Sequence, residues 1–233
     1  MPVHLWWGEE PSDHPSEYAA LNELCSAFDS QKEDYYIFAN FRVTNAQIDF
    51  AIFTNSSIYL IELKHSAGLK VTGGLNGKWI RSDNVILGEK NPVGQILNEY
   101  KSFRSMLRKH QMDFLDSKDK AASLIGSPNN TFNDIKKFIV LYPSMHLDSE
   151  VNLSAGLNDY QERALIPFLG DVIGFNELAS RCSDPSWGRA PLELYQSKVE
   201  NRRIKEGAKQ MKKSRFSEQQ VVQILAAGDQ GEK

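Results

Sequence analysis

The chain has 233 residues, 41% of them hydrophobic, enough for one sizeable core with appendages or for a domain plus a tail. A net charge of −3 provides no global basic field, so a nucleic-acid partner would have to be met by a local patch. Only Cys25 and Cys182 are present and the five histidines are scattered, which argues against a disulfide framework and thiolate zinc spacing.

The opening "MPVHLWWGEEPSDHP" lacks a basic segment followed by an apolar core, and no run approaches 18 apolar residues. A cytoplasmic protein with no membrane contact is expected. Trp6 and Trp7 fit burial against the core better than base stacking. "HPSEYAALNELCSAF" predicts a helix capped by Ser16, with Tyr18, Leu21, Leu24, Cys25 and Phe28 at helical spacing. "DYYIFANFRV", "QIDFAIF" and "SIYLIEL" are rich in β-branched and aromatic residues and predict three strands, the last two joined by the turn "TNSS". Short strands are expected around Val71, Trp79 and Ile86, between glycines and asparagines. A long helix then runs from Val93 to about Phe114, with Ile96, Leu97, Tyr100, Phe103, Met106 and Leu107 as one stripe. After the polar loop "SKDKAASLIGSPNN" come a buried strand in "KKFIVLYP", a further strand in "GDVIGF" and a short helix in "NELASRC". This order predicts an α/β fold, a sheet covered by helices, over residues 1–183. Residues 184–210 are highly charged with little to bury and predict a solvated helix or flexible arm.

The chemistry concentrates in "QIDFAIFTNSSIYLIELKH". If the two strands form an antiparallel hairpin around Asn55 and Ser56, paired residue numbers sum to 111, which sets Asp49 opposite Glu62. Facing Cβ atoms lie about 4.5–5.5 Å apart, where two like charges destabilise a sheet unless a cation or proton sits between them. Strand alternation puts Glu62 and Lys64 on one face. Two carboxylates and an ammonium on one spot suit a hard divalent ion, since magnesium keeps waters and takes one or two carboxylates plus substrate phosphates. A lysine beside it can orient or help deprotonate an attacking water and offset charge on a phosphorus-centred transition state. The plain alternative, a Glu-x-Lys pair on a wet strand edge with Asp49 facing outward, stands beside this reading.

The ordered series "IDF … IYLIELKHSAG … GKW … NPVGQ" resembles the nuclease-related domain (NERD), a branch of the PD-(D/E)xK nuclease superfamily, from about Pro15 to Leu107. The resemblance implies a restriction-endonuclease-like core, a central mixed β-sheet flanked by helices. It implies a magnesium ion, or manganese in its place, held by Asp49, Glu62 and the backbone carbonyl of Leu63. Lys64 would position or activate water for in-line attack on a phosphodiester, and Gln95 would orient Lys64 or contact a phosphate. Glu17 would bind a second ion or a water on the metal. Gln95 as a helix cap and Glu17 as an ordinary first-turn acid are the bland readings. Related RecB-like nucleases carry Gln-x-x-x-Tyr; here Glu99 stands four residues after Gln95 and Tyr100 one later, so the tyrosine is left out of the site.

Lys101, Arg104 and Arg108 on the second helix are candidate nucleic-acid contacts, with a solvated helix face as the alternative. From Met211 the tail "MKKSRFSEQQVVQILAAGDQGEK" resembles the opening of an insertion-sequence transposase reading frame. Only a first helix, from about Ser217 to Ala227, would be present, and an insertion that replaced the original C-terminus is expected at 211–233. The functional expectation is a metal-dependent nuclease acting on DNA in processing or defence, since such domains often accompany helicase or kinase modules. The alternatives are a catalytically weak or inactive module that binds nucleic acid or a partner protein, and a folded remnant of a disrupted gene.

Overall fold

The structure, a computed structural model, describes residues 3–8, 15–29, 31, 34–54, 57–110, 135–154, 157–158 and 169–183. In chain order its elements are β1 (Val3–Trp7), α1 (Pro15–Asp29), β2 (Tyr35–Val43), β3 (Ala46–Phe53), β4 (Ile58–His65), β5 (Val71–Gly74) and β6 (Ile80–Arg81). Then follow α2 (Pro92–Lys109), β7 (Lys136–Tyr142), β8 (Glu150–Asn152), β9 (Asp171–Gly174) and α3 (Phe175–Ser183). The main sheet has six strands in the order β1-β2-β3-β4-β7-β9. Its β2–β3–β4 meander is antiparallel, while β1 beside β2, β7 beside β4 and β9 beside β7 run parallel. This is the mixed α/β sheet that the sequence predicts.

Strands β3, β4 and β7 are near-continuous apolar runs because helices cover both faces. On one face Leu21, Leu24 and Phe28 of α1 and Phe175 and Leu178 of α3 pack on Phe50, Ile52, Tyr59 and Ile61. On the other, Val93, Ile96, Phe103 and Leu107 of α2 pack on Ala51, Leu60, Ile139 and Leu141. A second sheet, β6-β5-β8, joins the α2 side through Val71, Trp79 and Leu87. There Gly73 is obligatory, since a Cβ would come within 2.5 Å of the Trp79 ring.

The helices differ from the sequence reading at their ends. Helix α1 starts at Pro15, whose fixed φ suits a first helical position, so Ser16 lies inside the first turn rather than capping it. Helix α2 stops at Lys109 with His110 as its cap, short of Phe114. The loop at 117–130, the arm at 184–210 and the tail at 211–233 lie outside the described residues. Two strands escaped the sequence reading: β8 is three residues long, and β1 exists by parallel pairing with β2. Trp7 of β1 is buried and Trp6 stacks on Phe38, as burial against the core requires. Among the described residues no helix is long and apolar enough to cross a membrane.

Candidate active site

The β3–β4 hairpin has the expected register: Phe53 pairs with Ile58, Ile52 with Tyr59, Ala51 with Leu60 and Phe50 with Ile61. The Thr54 amide closes it by donating to the Ser57 carbonyl at 3.0 Å. Backbone pairing then stops one step before Asp49 and Glu62. Instead the Leu63 N–H donates to Asp49 Oδ2 at 2.8 Å, so the acid sits in the opening between the strands and replaces a ladder partner. A strand residue turns its amide and carbonyl to the same edge, which aims the Leu63 carbonyl into that opening.

The other side of β3 is interrupted at the same level. Its ladder with β2 skips from Ala39–Phe50 to Phe41–Ile48, and the residue between, Asn40, has a left-handed φ of 47°. Ala39 and Phe50 pack in the α1 layer whereas Phe41 and Ile48 pack in the α2 layer. Both strands therefore turn over at Asn40 and Asp49, which lets a polar side chain stand within the sheet plane.

Glu62 and Lys64 share the face of β4 that looks toward α2. The Lys64 ammonium pairs with Glu62 Oε1 and donates to Gln95 Oε1 at 3.2 Å. Gln95 is delivered by the start of α2, where Asn91 acts as a two-sided clamp. Its Oδ1 accepts from the amides of Val93 (2.8 Å) and Gly94 (3.3 Å), and its Nδ2 donates to the carbonyls of Gly74 (3.1 Å) and Gly77 (2.6 Å). Trp79 Nε1 donates to the same Gly74 carbonyl at 3.0 Å. The "GKW" and "NP" elements thus join the β5–β6 turn to α2, and Gln95 follows one turn later. Gly88, with φ of 89°, passes over the lysine so closely that a Cβ would lie 3.3 Å from Lys64 Nζ.

The electrostatics are lopsided. Burial, then the neighbouring Glu62, push the Asp49 carboxyl well above the usual range against the pull of the Leu63 amide. Burial, then Glu99, do the same to Glu62, which is 0% exposed. Glu99 itself is 1% exposed and is pushed up to about 7, first by burial, with Asp49 adding to it. Burial pulls the Lys64 ammonium down, but Glu62, Asp49 and Glu99 outweigh it and raise its pKa. Three buried carboxylates thus face one ammonium. Glu99 is hydrogen-bonded to Glu62 and to Gln95, so the two acids share a contact that only a proton or a cation can make favourable.

Against known families, the nuclease-related domain model matches residues 12–132. The chain belongs to the nuclease-related domain family. That match spans α1, β2, β3, β4 and α2, the elements that carry every residue of the cluster, and the six-stranded mixed sheet flanked by helices is consistent with a restriction-endonuclease-like fold. No curated protein and no solved structure matches the chain.

Within this nuclease-related domain the cluster brings together Asp49, Glu62, Lys64 and Gln95, with the Leu63 backbone between them. Glu17 is half-buried in the first turn of α1, and its charge raises Asp49 less than that of Glu62 does. Lys101, Arg104 and Arg108 are elsewhere: at about 100° per residue they lie on the side of α2 turned away from Gln95 and Glu99. Lys101 is exposed, and Arg104 lies 5.8 Å over the Tyr100 ring. Glu99 is the member that the sequence reading passed over. The stripe Ile96, Leu97, Tyr100, Phe103, Met106 and Leu107 packs on the core, with Leu97 and Tyr100 half-buried and Glu99 buried beside it. The spacing of three and four residues in Ile96–Glu99–Phe103 was the available signal.

The donor set suits a hard cation. Three carboxylates are buried around one ammonium, so the cluster is short of positive charge, which is the condition a divalent ion relieves. Among the described residues no three of His, Cys, Asp and Glu are grouped as a ready metal cage. The fit is therefore to an open site of two carboxylates and a carbonyl, as magnesium uses beside a phosphate substrate.

Proposed function

We propose that the protein is a metal-dependent nuclease that hydrolyses DNA phosphodiester bonds, with its centre at the open end of the β3–β4 hairpin. The observation that carries this reading is the buried Asp49–Glu62–Lys64 cluster with Gln95 on the lysine. Asp49, Glu62 and the Leu63 carbonyl would hold magnesium, or manganese in its place. The chemistry gained with the ion bound is charge neutralisation at the phosphodiester under attack.

The chain's own residues supply the rest. In the metal-free site Glu62 and Asp49 raise the Lys64 pKa, so the ammonium is charged there. From this position it would orient or activate the attacking water and offset charge on a phosphate oxygen. Gln95 fixes the direction of that ammonium, and the Asn91 clamp fixes Gln95. The Leu63 amide holds Asp49 in its rotamer, so the carboxylate is oriented before substrate arrives. Glu17 stands on the α1 side as the candidate for a second ion or a bound water. Lys101, Arg104 and Arg108 would contact DNA remote from the cleaved bond, through phosphates. A helicase or kinase module as a companion is proposed from the family alone.

The test is cleavage of supercoiled plasmid and linear DNA with and without magnesium or manganese, beside a Glu62→Ala variant. Metal-dependent cleavage by the wild type and none by the variant is expected. Cleavage that persists in the variant would reject this site, and no cleavage by either under any metal would favour a binding module without activity.

A further inference from the structure

Lys64 stands between more acceptors than it can serve. Its ammonium pairs with Glu62 Oε1 and donates to Gln95 Oε1, and it interacts electrostatically with Asp49 and Glu99 as well. Under the cation reading above, on which this inference rests, Glu62 has two claimants. A lysine that occupies the carboxylate competes with any ion that needs it.

Glu99 offers the lysine somewhere else to go. It stands one helical turn beyond Gln95 on α2, is 1% exposed, and has only Glu62 and Gln95, neither of them a cation, as its side-chain hydrogen-bond partners among those that shift its pKa. As a structural residue it makes little sense. A buried carboxylate set against a second carboxylate costs several kcal/mol, and an apolar side chain would pack against Ile96 and Phe103 without that cost. Its hydrogen bonds reach Glu62 and Gln95, the two groups that hold Lys64, which ties it to the lysine.

We propose that Glu99 is the standby counter-ion of Lys64: when a divalent cation takes the Glu62 carboxylate, the ammonium shifts onto Gln95 and Glu99 and remains charged in the site. Glu99 is then a positioning residue that acts through Lys64. Without it, occupying Glu62 with a cation would strand a buried ammonium beside a like charge, so the lysine would hold its place and the ion would bind poorly.

Calorimetric titration of Mn²⁺ into four proteins tests this: wild type, Glu99→Gln, Lys64→Met and the double variant. Glu99→Gln should weaken Mn²⁺ binding by at least about tenfold when Lys64 is present, the size of one charge-assisted hydrogen bond. In the Lys64→Met background the same change should cost less than about twofold, because the competitor is gone. Equal losses in both backgrounds would make Glu99 a plain ligand or field charge and overturn the proposal, as would no loss in either. A measurement on the wild type alone guards against a variant that misfolds: with ¹⁵N-labelled lysine, the Lys64 Nζ resonance should move when Mg²⁺ is added, and an unmoved resonance despite bound Mg²⁺ would overturn the proposal. A wild type that binds neither ion removes the cation reading itself, whereas equal losses remove only the role of Glu99.

Discussion

The two ends of the β3–β4 hairpin are made from the same strands in the same register, yet they do opposite things. At the turn end, Phe50 to Phe53 and Ile58 to Ile61 pair through the backbone, and all but Phe53 are buried. At the open end the ladder stops, a carboxylate takes the place of a backbone partner, and three acids are buried around one lysine. The first end stabilises the fold and the second destabilises it. A protein keeps a destabilising end where that end has work to do.

The contrast breaks most sharply by truncation at the turn end. Phe50→Ala removes a fully buried ring between α1 and the sheet and should cost about 3–5 kcal/mol, read from denaturant unfolding. At the open end the sign should reverse. Glu99→Gln deletes a buried charge of raised pKa and should stabilise the metal-free protein at pH 8 by about 1–3 kcal/mol, read from the same curves. A loss of stability there would mean that Glu99 is an ordinary structural residue.

The same group gives a pH test. Its folded pKa is about 7, above the unfolded 4.5, so the folded state binds the extra proton and unfolding stability falls as pH rises through that window. Metal-free wild type should therefore melt at a lower temperature at pH 8 than at pH 5.5, by up to about 1.4 kcal/mol per pH unit for this one proton. Glu99→Gln should flatten the profile. Next in size is the clamp that delivers Gln95 to the open end. Asn91→Ala removes the α2 cap and two hydrogen bonds to the β5–β6 turn and should cost about 1–2 kcal/mol in thermal unfolding. Cleavage should fall further than stability alone explains, because Lys64 loses its guide. The smallest effect belongs to α2's outer side: Lys101→Ala, at an exposed position, should leave the melting temperature unchanged and lower DNA affinity only through the salt-dependent phosphate term, read from binding at two salt concentrations.

Much of this contrast was legible in the residues. Alternation and turn chemistry point to β2, β3, β4, β7 and β9, and counting across "TNSS" gives the register that holds from Phe53–Ile58 to Phe50–Ile61; the expected direct pairing of Asp49 with Glu62 does not form, because the ladder ends before them and Asp49 takes the Leu63 amide. The splay that separates these two acids was not legible, because it depends on Asn40 in a neighbouring strand adopting a positive φ. Strand β1 was missed for a similar reason: "VHLWW" becomes a strand only by parallel pairing with β2, a contact distant in sequence. Glu99 is not marked out by the sequence although its spacing is visible there, since an acid four residues after Gln95 departs from the Gln-x-x-x-Tyr motif and its burial depends on the packing of α2 against β4. The roles of Trp79 and Asn91 also changed, from marks of resemblance to the parts that tie the second sheet to α2.

The most direct measurement is calorimetric titration of Mn²⁺ into the wild type and into Asp49→Asn, at low salt and in parallel with circular dichroism. One saturable ion site in the wild type, lost or weakened at least about tenfold in a variant that stays folded, is the predicted result. Equal binding by both proteins would place the ion elsewhere and contradict the assignment of the hairpin's open end as the metal centre.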